Sequence, residues 1–166
     1  MVGLELGTRA GSVARLCTDR RPWRQRASHS AAALPDILEA TLEDLDAKTL
    51  YALLRLRSEI FVVEQACVYQ DLDGFDHDAR HIWLSDDKGI ASYLRLMDDG
   101  ARRRIGRVAT RMDARRQGHA GRLVEYVLRH SEGPWVLSAQ TYLRQWYAQK
   151  GFEEQGSEYD EDGIPH

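Results

Sequence analysis

A glycine-containing turn between a strand-like segment and an amphipathic helix constrains this chain more than any other feature. The turn is Arg115–Gly121, and the strand-like segment before it is Ile105–Thr110. A helix start leaves several backbone N–H groups unpaired at the positive end of the helix dipole, which is a seat for a phosphate group. Arg115 and Arg116 add positive charge there, although an ordinary surface turn also explains the motif taken alone. The apolar residues that follow recur at the spacing of one helical face: Ala120, Leu123, Val124, Val127 and Leu128.

Length and composition are those of one soluble globular domain. The chain has 166 residues, of which 43% are hydrophobic and 30% are charged. No apolar run approaches the roughly 20 residues that span a bilayer, so we expect no membrane association. The two cysteines, Cys17 and Cys67, lie far apart in the sequence, without metal-ligand spacing. This usage favours a reducing, cytoplasmic compartment and a protein without a metal site or disulfide framework.

Charge divides the chain into two parts. Residues 1–35 contain six Arg, one Glu and one Asp, which gives a charge of +4. Because the whole chain has a net charge of −3, the other residues together carry −7. An acidic body argues against nucleic acid as a partner and is compatible with a cationic small molecule. The first 35 residues show no sustained periodicity, which predicts a disordered or loosely docked leader before a folded domain at 36–166. Their Arg- and Ser-rich composition also resembles an organellar transit peptide, but an unstructured leader is the favoured interpretation.

Hydrophobic periodicity and punctuation by Gly, Pro and Asp predict the elements of the domain. Strands are predicted at 37–41, 81–84, 90–96, 103–110, 135–139 and 152–159. Helices are predicted from an Asp46 cap through Arg57, at 118–130 and at 143–150, and 58–65 either continues the first helix or begins another. The order β-α-β-β-β-α-β-α-β predicts a mixed sheet with helices on its faces.

Two motifs in the second half of the chain resemble signatures of the GNAT acyltransferases. The pattern R-x-x-G-x-A at 115–120 resembles the family's pyrophosphate-binding signature, and Y-x-x-x-G-F at 147–152 resembles its helix-end signature. Both occur in the family's order, each after a predicted strand. The resemblance runs from about Leu50 to the last residue. Segments that resemble the ElaA-type branch of the family are 61–65, 69–74, 80–81 and 161–166.

The resemblance implies an α/β (α+β) GNAT fold, with a single mixed, mostly antiparallel central sheet, a splayed strand pair and helices on both faces. It also implies acetyl-CoA as donor, without a metal, and a small-molecule amine as acceptor. The donor's pantetheine arm would pair with the backbone at Val108 and Thr110, and an N–H of Val108 or Ala109 would hold the oxyanion. The pyrophosphate would be held by Arg115, Arg116, Gln117, Gly118, His119, Ala120 and Gly121.

The same resemblance makes Tyr147 the general acid that protonates the departing thiolate, since a phenol of reference pKa ~10 can protonate a thiolate whose conjugate acid is near ~8.5. A purely packing role is the alternative for Tyr147. The base stays open, because Arg107 lies where many GNAT enzymes carry a strand glutamate. Candidates for the base are Glu64, Asp73, Asp76 and His81, and His81 has the structural alternative of a simple hydrogen bonder. Residues expected to bind the acceptor are Arg57, Glu64, Asp73, Asp76 and Gln140.

Two other functions compete with an acetyltransferase. The patterns R-x-x-x-F at 57–61 and D-x-D-x-x-D at 71–76, with Arg95, resemble the acyl-homoserine lactone synthases, which use S-adenosylmethionine. A GNAT shell without an effective base could instead sense acyl-CoA without turning it over.

The end of the chain poses a separate question: either the usual final strand is truncated, or 152–166 supplies both closing strands. A truncated edge would favour dimerisation.

Overall fold

The computed structural model describes residues 3–5, 35–67, 69–161 and 164–165. Three α-helices lie in these ranges: α1 (Ala47–Arg57), α2 (His119–His130) and α3 (Arg144–Ala148). A π-helix, Ser58–Glu64, continues α1, and single 3-10 turns occupy Met112–Ala114 and Thr141–Leu143. The described strands are β1 (Gly3–Glu5), β2 (Ile37–Thr41), β3 (Arg80–Asp86), β4 (Gly89–Asp98), β5 (Arg103–Thr110), β6 (Trp135–Leu137), β7 (Glu153–Gln155), β8 (Asp160–Glu161) and β9 (Ile164–Pro165).

The central sheet has the order β2-β3-β4-β5-β6-β1-β7, and its pairs are antiparallel except for β5 and β6. These two strands run parallel and pair only where Arg103 faces Trp135 and Arg104 faces Val136. Beyond these pairs the two strands separate. The mixed, mostly antiparallel sheet with a splayed pair is therefore confirmed.

Helices cover both faces of the sheet. Leu123, Val124 and Val127 of α2 pack in one core cluster with Ile82 and Leu84 of β3. The second cluster, on the opposite face, joins α1 and the π-helix to the sheet through Leu53, Leu56, Ile60, Trp83, Tyr93 and Ala109. Because successive strand residues point to opposite faces, Ile82 and Trp83 enter different clusters, as do Tyr93 and Leu94. The helices on both faces, predicted from the sequence, are confirmed.

The first helix begins where the sequence predicts. The Asp46 carboxylate accepts hydrogen bonds from the backbone N–H groups of Lys48 and Thr49, at 2.9 and 3.0 Å, and caps α1. The segment 58–65 continues this helix, with wider turns, rather than beginning another. None of the helices within the described ranges is long and apolar enough to cross a lipid bilayer.

Three predicted elements at the C-terminal end are shorter than expected. The strand expected at 135–139 ends at Leu137, just after its pairing with β5 is lost. The helix expected at 143–150 is a 3-10 turn followed by α3 (Arg144–Ala148). The strand expected at 152–159 is confined to β7, because Gly156 takes a φ of 91° and turns the chain.

The N-terminal strand β1 lies inside the sheet, antiparallel to β6 on one side and to β7 on the other. Of the leader predicted at 1–35, the structure describes Gly3–Glu5 and residue 35, while 6–34 lies outside the described residues. The position of β1 has a physical reason, because β6 and β7 would otherwise each present an unpaired edge between them. The residues 160–161 and 164–165 form a separate two-stranded hairpin and do not add a closing strand to the central sheet.

Candidate active site

A cleft of about 1530 Å³ opens where β5 and β6 diverge. Pockets for a single small ligand usually measure 300–1,000 Å³, so this volume suits two ligands side by side. Most of the residues predicted for the site line it: Glu64, Asp73, Val108, Ala109, Thr110, Arg115, Arg116, Gly118, His119, Ala120, Gly121, Gln140 and Tyr147. The predicted residues that do not line it are Arg57, Asp76, His81 and Gln117. The Gln117 side chain is exposed and donates to the backbone oxygen of Asp113.

The turn before α2 has the geometry of an anion seat. Gly118 is the N-cap of α2 with φ 79°, in the left-handed region, and no side chain caps the helix. The first backbone hydrogen bond of α2 runs from Arg122 N–H to Gly118 O at 3.0 Å, so the amides of the three residues between them precede it. A Cβ at Gly118 would meet no atom within 4 Å, which leaves open space beside this backbone. These features are what a phosphate group requires at a helix start.

His119 is a second feature of this turn that fits an anion-binding site. Its side chain is 94% buried, and its Nδ1 has no hydrogen-bond partner among the described residues. A buried polar atom without a partner costs about 1–3 kcal/mol, so such atoms are rare outside ligand sites. The residues around the α2 start therefore fit the pyrophosphate of a coenzyme A molecule.

An ion pair connects a predicted base to a predicted pyrophosphate ligand. The Arg115 guanidinium donates to both oxygens of Glu64, at 2.8 and 2.5 Å, and its Nε donates to the backbone oxygen of Thr110. The hydrogen bonds from Arg115 hold the pKa of Glu64 below its usual range. A carboxylate held in this way is a weaker base than a free one, which reduces the case for Glu64 as the general base.

Lys150 contributes to the same end of the cleft and was not singled out from the sequence. Its ammonium group pairs with Glu125 at 3.0 Å and lies 4.9 Å from the centre of the Trp146 ring. A Cβ on Gly121 would lie 3.1 Å from the Lys150 Nζ, so the glycine makes room for this cation. The sequence did contain a signal for Lys150. It follows Tyr147 by three residues in the helix predicted at 143–150, and residues three apart on a helix share a face.

Tyr147 places a buried ring at the cleft wall. It is 3% exposed and packs edge-on against Trp146 and Phe152, with ring centres 4.7 and 5.8 Å away. None of the described residues forms a hydrogen bond with its hydroxyl group. Burial raises the pKa of the Tyr147 phenol, so it stays protonated at neutral pH. The position is compatible with the predicted acid role, while the ring itself belongs to the core.

His81 is placed away from the cleft, and the structure favours its structural alternative. The side chain is 1% exposed, with Nδ1 2.8 Å from the Tyr93 hydroxyl and Nε2 3.1 Å from the backbone oxygen of Asp76. Burial lowers the pKa of His81. Both ring nitrogens are engaged inside the protein, so His81 cannot reach an amine in the cleft.

Most residues predicted to bind the acceptor belong instead to an internal ion cluster. Arg57 is fully buried and pairs with Asp71 at 2.9 Å and Asp76 at 2.6 Å. Arg95, 2% exposed, pairs with Asp73 at 2.6 Å and Asp76 at 2.9 Å. Burial alone would raise the pKa of Asp73, but the hydrogen bonds from Arg95 and the nearby cations outweigh it and lower the pKa to about 2. Of these predicted acceptor ligands, Arg57 and Asp76 are therefore structural, and Asp73 reaches the cleft wall.

Arg107 closes this ion cluster on its cleft side, in the place of the usual strand glutamate. Its guanidinium pairs with Asp71 at 2.7 Å and with Asp73 at 3.1 Å. The residue sits in a β-bulge, where the register between β4 and β5 shifts, and has φ 51°. The described part of the chain offers no group of His, Cys, Asp and Glu that could hold a metal ion.

Comparison with known proteins identifies the family. A family model described as an acetyltransferase (GNAT) domain matches residues 31–166. This chain belongs to the GNAT acetyltransferase family. A relative of this chain, a UPF0039 protein of Mycobacterium tuberculosis, is 48% identical over 132 residues, which cover 75% of this chain and 85% of that protein.

Solved structures confirm the GNAT fold. An acyl-CoA N-acyltransferase from Pseudomonas aeruginosa superimposes with a TM-score of 0.75 at 40% identity, covering 80% of this chain and 95% of that one. Escherichia coli ElaA superimposes with a TM-score of 0.74 at 32% identity, covering 80% of this chain and 96% of that one. The resemblance of this GNAT chain to the ElaA branch is thereby confirmed.

Proposed function

We propose that this GNAT protein transfers an acetyl group from acetyl-CoA to the primary amine of a small cationic acceptor. One observation carries the proposal: the open helix start at Gly118, the unpaired edge of β5 and the Tyr147 ring all face one cleft. Each fits one part of the donor, namely the pyrophosphate, the pantetheine arm and the thioester sulfur. Acetyl-CoA supplies the activated acyl group.

The edge of β5 beyond Arg104 supports the donor's position. No strand within the described ranges pairs with this edge once β6 has diverged. An extended arm with amide groups can therefore add to it as a short strand, by pairing with the backbone at Val108 and Thr110. This pairing directs the thioester carbonyl towards the N–H of Val108 or Ala109, which would stabilise the negative charge that develops on the oxygen.

Proton transfer at the sulfur is the role of Tyr147. As the amine nitrogen bonds to the acyl carbon, the carbon–sulfur bond breaks and the thiolate takes the proton of the Tyr147 hydroxyl. Burial keeps that hydroxyl protonated, as an acid must be before the reaction. The phenolate then regains a proton from solvent through the open cleft.

The amine loses its proton to water rather than directly to a side chain. Glu64 is bound to Arg115, Asp73 has a pKa of about 2, and His81 is buried away from the cleft. None of these three groups is a strong base in position. Activity is therefore expected to rise with pH until the acceptor amine is neutral in solution, because the neutral form is the nucleophile.

The net charge of the chain supports a cationic acceptor. The residues after 35 carry −7, and the carboxylates that line the cleft include Asp73, Asp78, Asp98 and Asp99. Such a surface raises the local concentration of cations. A panel of diamines, guanidino amines and neutral amines, incubated with acetyl-CoA and analysed for product by mass spectrometry, tests the proposal. Acetylation of cationic amines supports it, and tight acetyl-CoA binding without turnover on any amine would instead indicate a sensor.

The alternative synthase function has less support from the geometry. Arg57 and Asp76, which belong to the patterns that resemble S-adenosylmethionine-binding residues, are buried and bound to each other at 2.6 Å. They do not line the cleft and present no charge to a ligand there. Release of methylthioadenosine from S-adenosylmethionine would reinstate this alternative.

A further inference from the structure

The guanidinium of Arg107 occupies a small pocket built from two carboxylates and two aromatic rings. It donates to Asp71 at 2.7 Å and to Asp73 at 3.1 Å. Its central carbon lies 5.4 Å from the centre of the Tyr69 ring and 5.9 Å from that of the Phe61 ring. Carboxylates and aromatic faces are the groups that bind a flat organic cation. We call these four partner residues the Arg107 pocket.

The pocket would remain a cation site if Arg107 left it. Asp71 would keep its hydrogen bond from Arg57, and Asp73 would keep both of its hydrogen bonds from Arg95. The cluster as a whole holds three arginines and three aspartates. Without Arg107 it has one more carboxylate than cations, so a net charge of −1 faces the cleft.

Arg107 is the most readily displaced arginine of this cluster. Its side chain is 22% exposed, whereas those of Arg57 and Arg95 are 0% and 2% exposed. Its backbone has φ 51°, a left-handed conformation that is unfavourable for any residue with a Cβ. Part of the free energy of the guanidinium contacts therefore offsets the strain of this backbone conformation.

We propose that the Arg107 pocket is the recognition site for the cationic group of the acceptor, a guanidinium or ammonium remote from the reacting amine. Arg107 occupies the pocket when no acceptor is bound and leaves it for the cleft when the acceptor's cation enters. One cation replaces another, so the cluster stays neutral, and neutral or acidic acceptors gain nothing from the exchange. This inference rests on the proposed function only in taking the acceptor to enter through the same cleft.

The test removes the Arg107 side chain from the pocket and supplies a small guanidinium ion in its place. Arg107→Gly removes the internal cation, and glycine accepts the left-handed backbone without strain. Methylguanidinium is titrated by calorimetry into this variant and into the wild-type protein, without acetyl-CoA and at constant ionic strength. We expect the variant to bind methylguanidinium at least tenfold more tightly than the wild type. Methylurea, which is neutral and of similar shape, should bind to neither protein.

Two further variants separate the pocket from a general change of charge. Arg104→Gly removes an arginine of the same strand that lines the same cleft and has no ion pair with Asp71 or Asp73. It should leave methylguanidinium affinity unchanged. Adding Tyr69→Leu to Arg107→Gly removes one aromatic face and should lower the gained affinity severalfold. Unchanged acetyl-CoA affinity and a single cooperative thermal unfolding transition show that each variant has folded.

The outcomes also distinguish this proposal from the proposed function. Equal methylguanidinium affinity in the wild type and in Arg107→Gly, or an equal gain in Arg104→Gly, would overturn the pocket assignment. Saturable binding to Arg107→Gly, with no acetylation of any amine by the wild type, would leave the pocket in place and refute the acetyltransferase. Acetylation without preference for cationic amines would refute the pocket's role in selecting the acceptor.

Discussion

Tyr147→Phe is expected to lower kcat about 100-fold without changing acetyl-CoA affinity. The substitution removes one oxygen from a ring that is 3% exposed and packed between Trp146 and Phe152, so the core contacts are kept. Since none of the described residues bonds to the hydroxyl, its removal leaves no polar group unpaired and has little effect on stability. A positioned acid contributes roughly 10²–10⁴ in rate, and the lower figure equals about 2.7 kcal/mol of transition-state stabilisation.

The assay follows thiol release at saturating acetyl-CoA, and calorimetry measures the dissociation constant of the donor. Tyr142→Phe is the matched control, because Tyr142 lines the same cleft but is 76% exposed and has no assigned chemistry. It should keep wild-type kcat. A fall in kcat at constant donor affinity is the pattern of an interaction made only in the transition state. Equal kcat in Tyr147→Phe and wild type would show that Tyr147 is not the general acid and is only a core residue.

Three other predictions concern the donor site, the N-terminal strand and pH. Gly118→Val should weaken acetyl-CoA binding at least tenfold by calorimetry, whereas Gly89→Val, also at a positive φ in open space but away from the cleft, should not. Leu4→Pro removes a backbone donor between two paired strands and should lower Tm by several degrees, while Leu4→Val should not; equal Tm values would place β1 outside the sheet. Asp73 has a folded pKa of about 2 against an ordinary 3.8, so between these values the unfolded chain binds more protons. The free energy of unfolding in urea should therefore fall from pH 4 to pH 2 more steeply for the wild type than for Asp73→Asn, and parallel curves would contradict this.

Much of the fold could be predicted from local patterns in the sequence. The mainly apolar segments at 81–84 and 90–96 predict strands that lie within β3 and β4, and the Asp46 cap marks the start of α1 because its carboxylate satisfies the first free amides. The apolar stripe of α2, which includes Leu123 and Val127, identifies the face that packs on the sheet. In each case the signal and its structural consequence lie within a few residues of one another.

The N-terminal strand and the role of His81 could not be predicted in this way. Gly3–Glu5 pairs with Val136 and Leu137, more than a hundred residues away, and three residues carry too little pattern to specify a partner. His81 is engaged by the Tyr93 hydroxyl and the Asp76 carbonyl, which only the folded sheet brings to it. The sequence identifies His81 as a titratable residue but does not show that its side chain is buried.

The surroundings of Arg107 in the site could not be predicted from the sequence either. The sequence shows an arginine where the family often has a glutamate, but not the β-bulge that turns its backbone to φ 51°. That conformation brings the side chain onto Asp71 and Asp73, so the base position becomes part of an ion cluster. The donor half of the site follows from a contiguous turn, whereas the acceptor half is assembled from separate loops and strands.

Acetyl transfer from acetyl-CoA to a cationic amine can be followed through the acyl group itself. The protein is incubated with acetyl-CoA carrying a ¹³C-labelled acetyl group and a guanidino amine, and all products are resolved by mass spectrometry. We expect the label on the amine nitrogen, one labelled amide for each free coenzyme A, and loss of this product in Tyr147→Phe. Label that remains in acetyl-CoA, or that appears only as free acetate, would contradict this expectation.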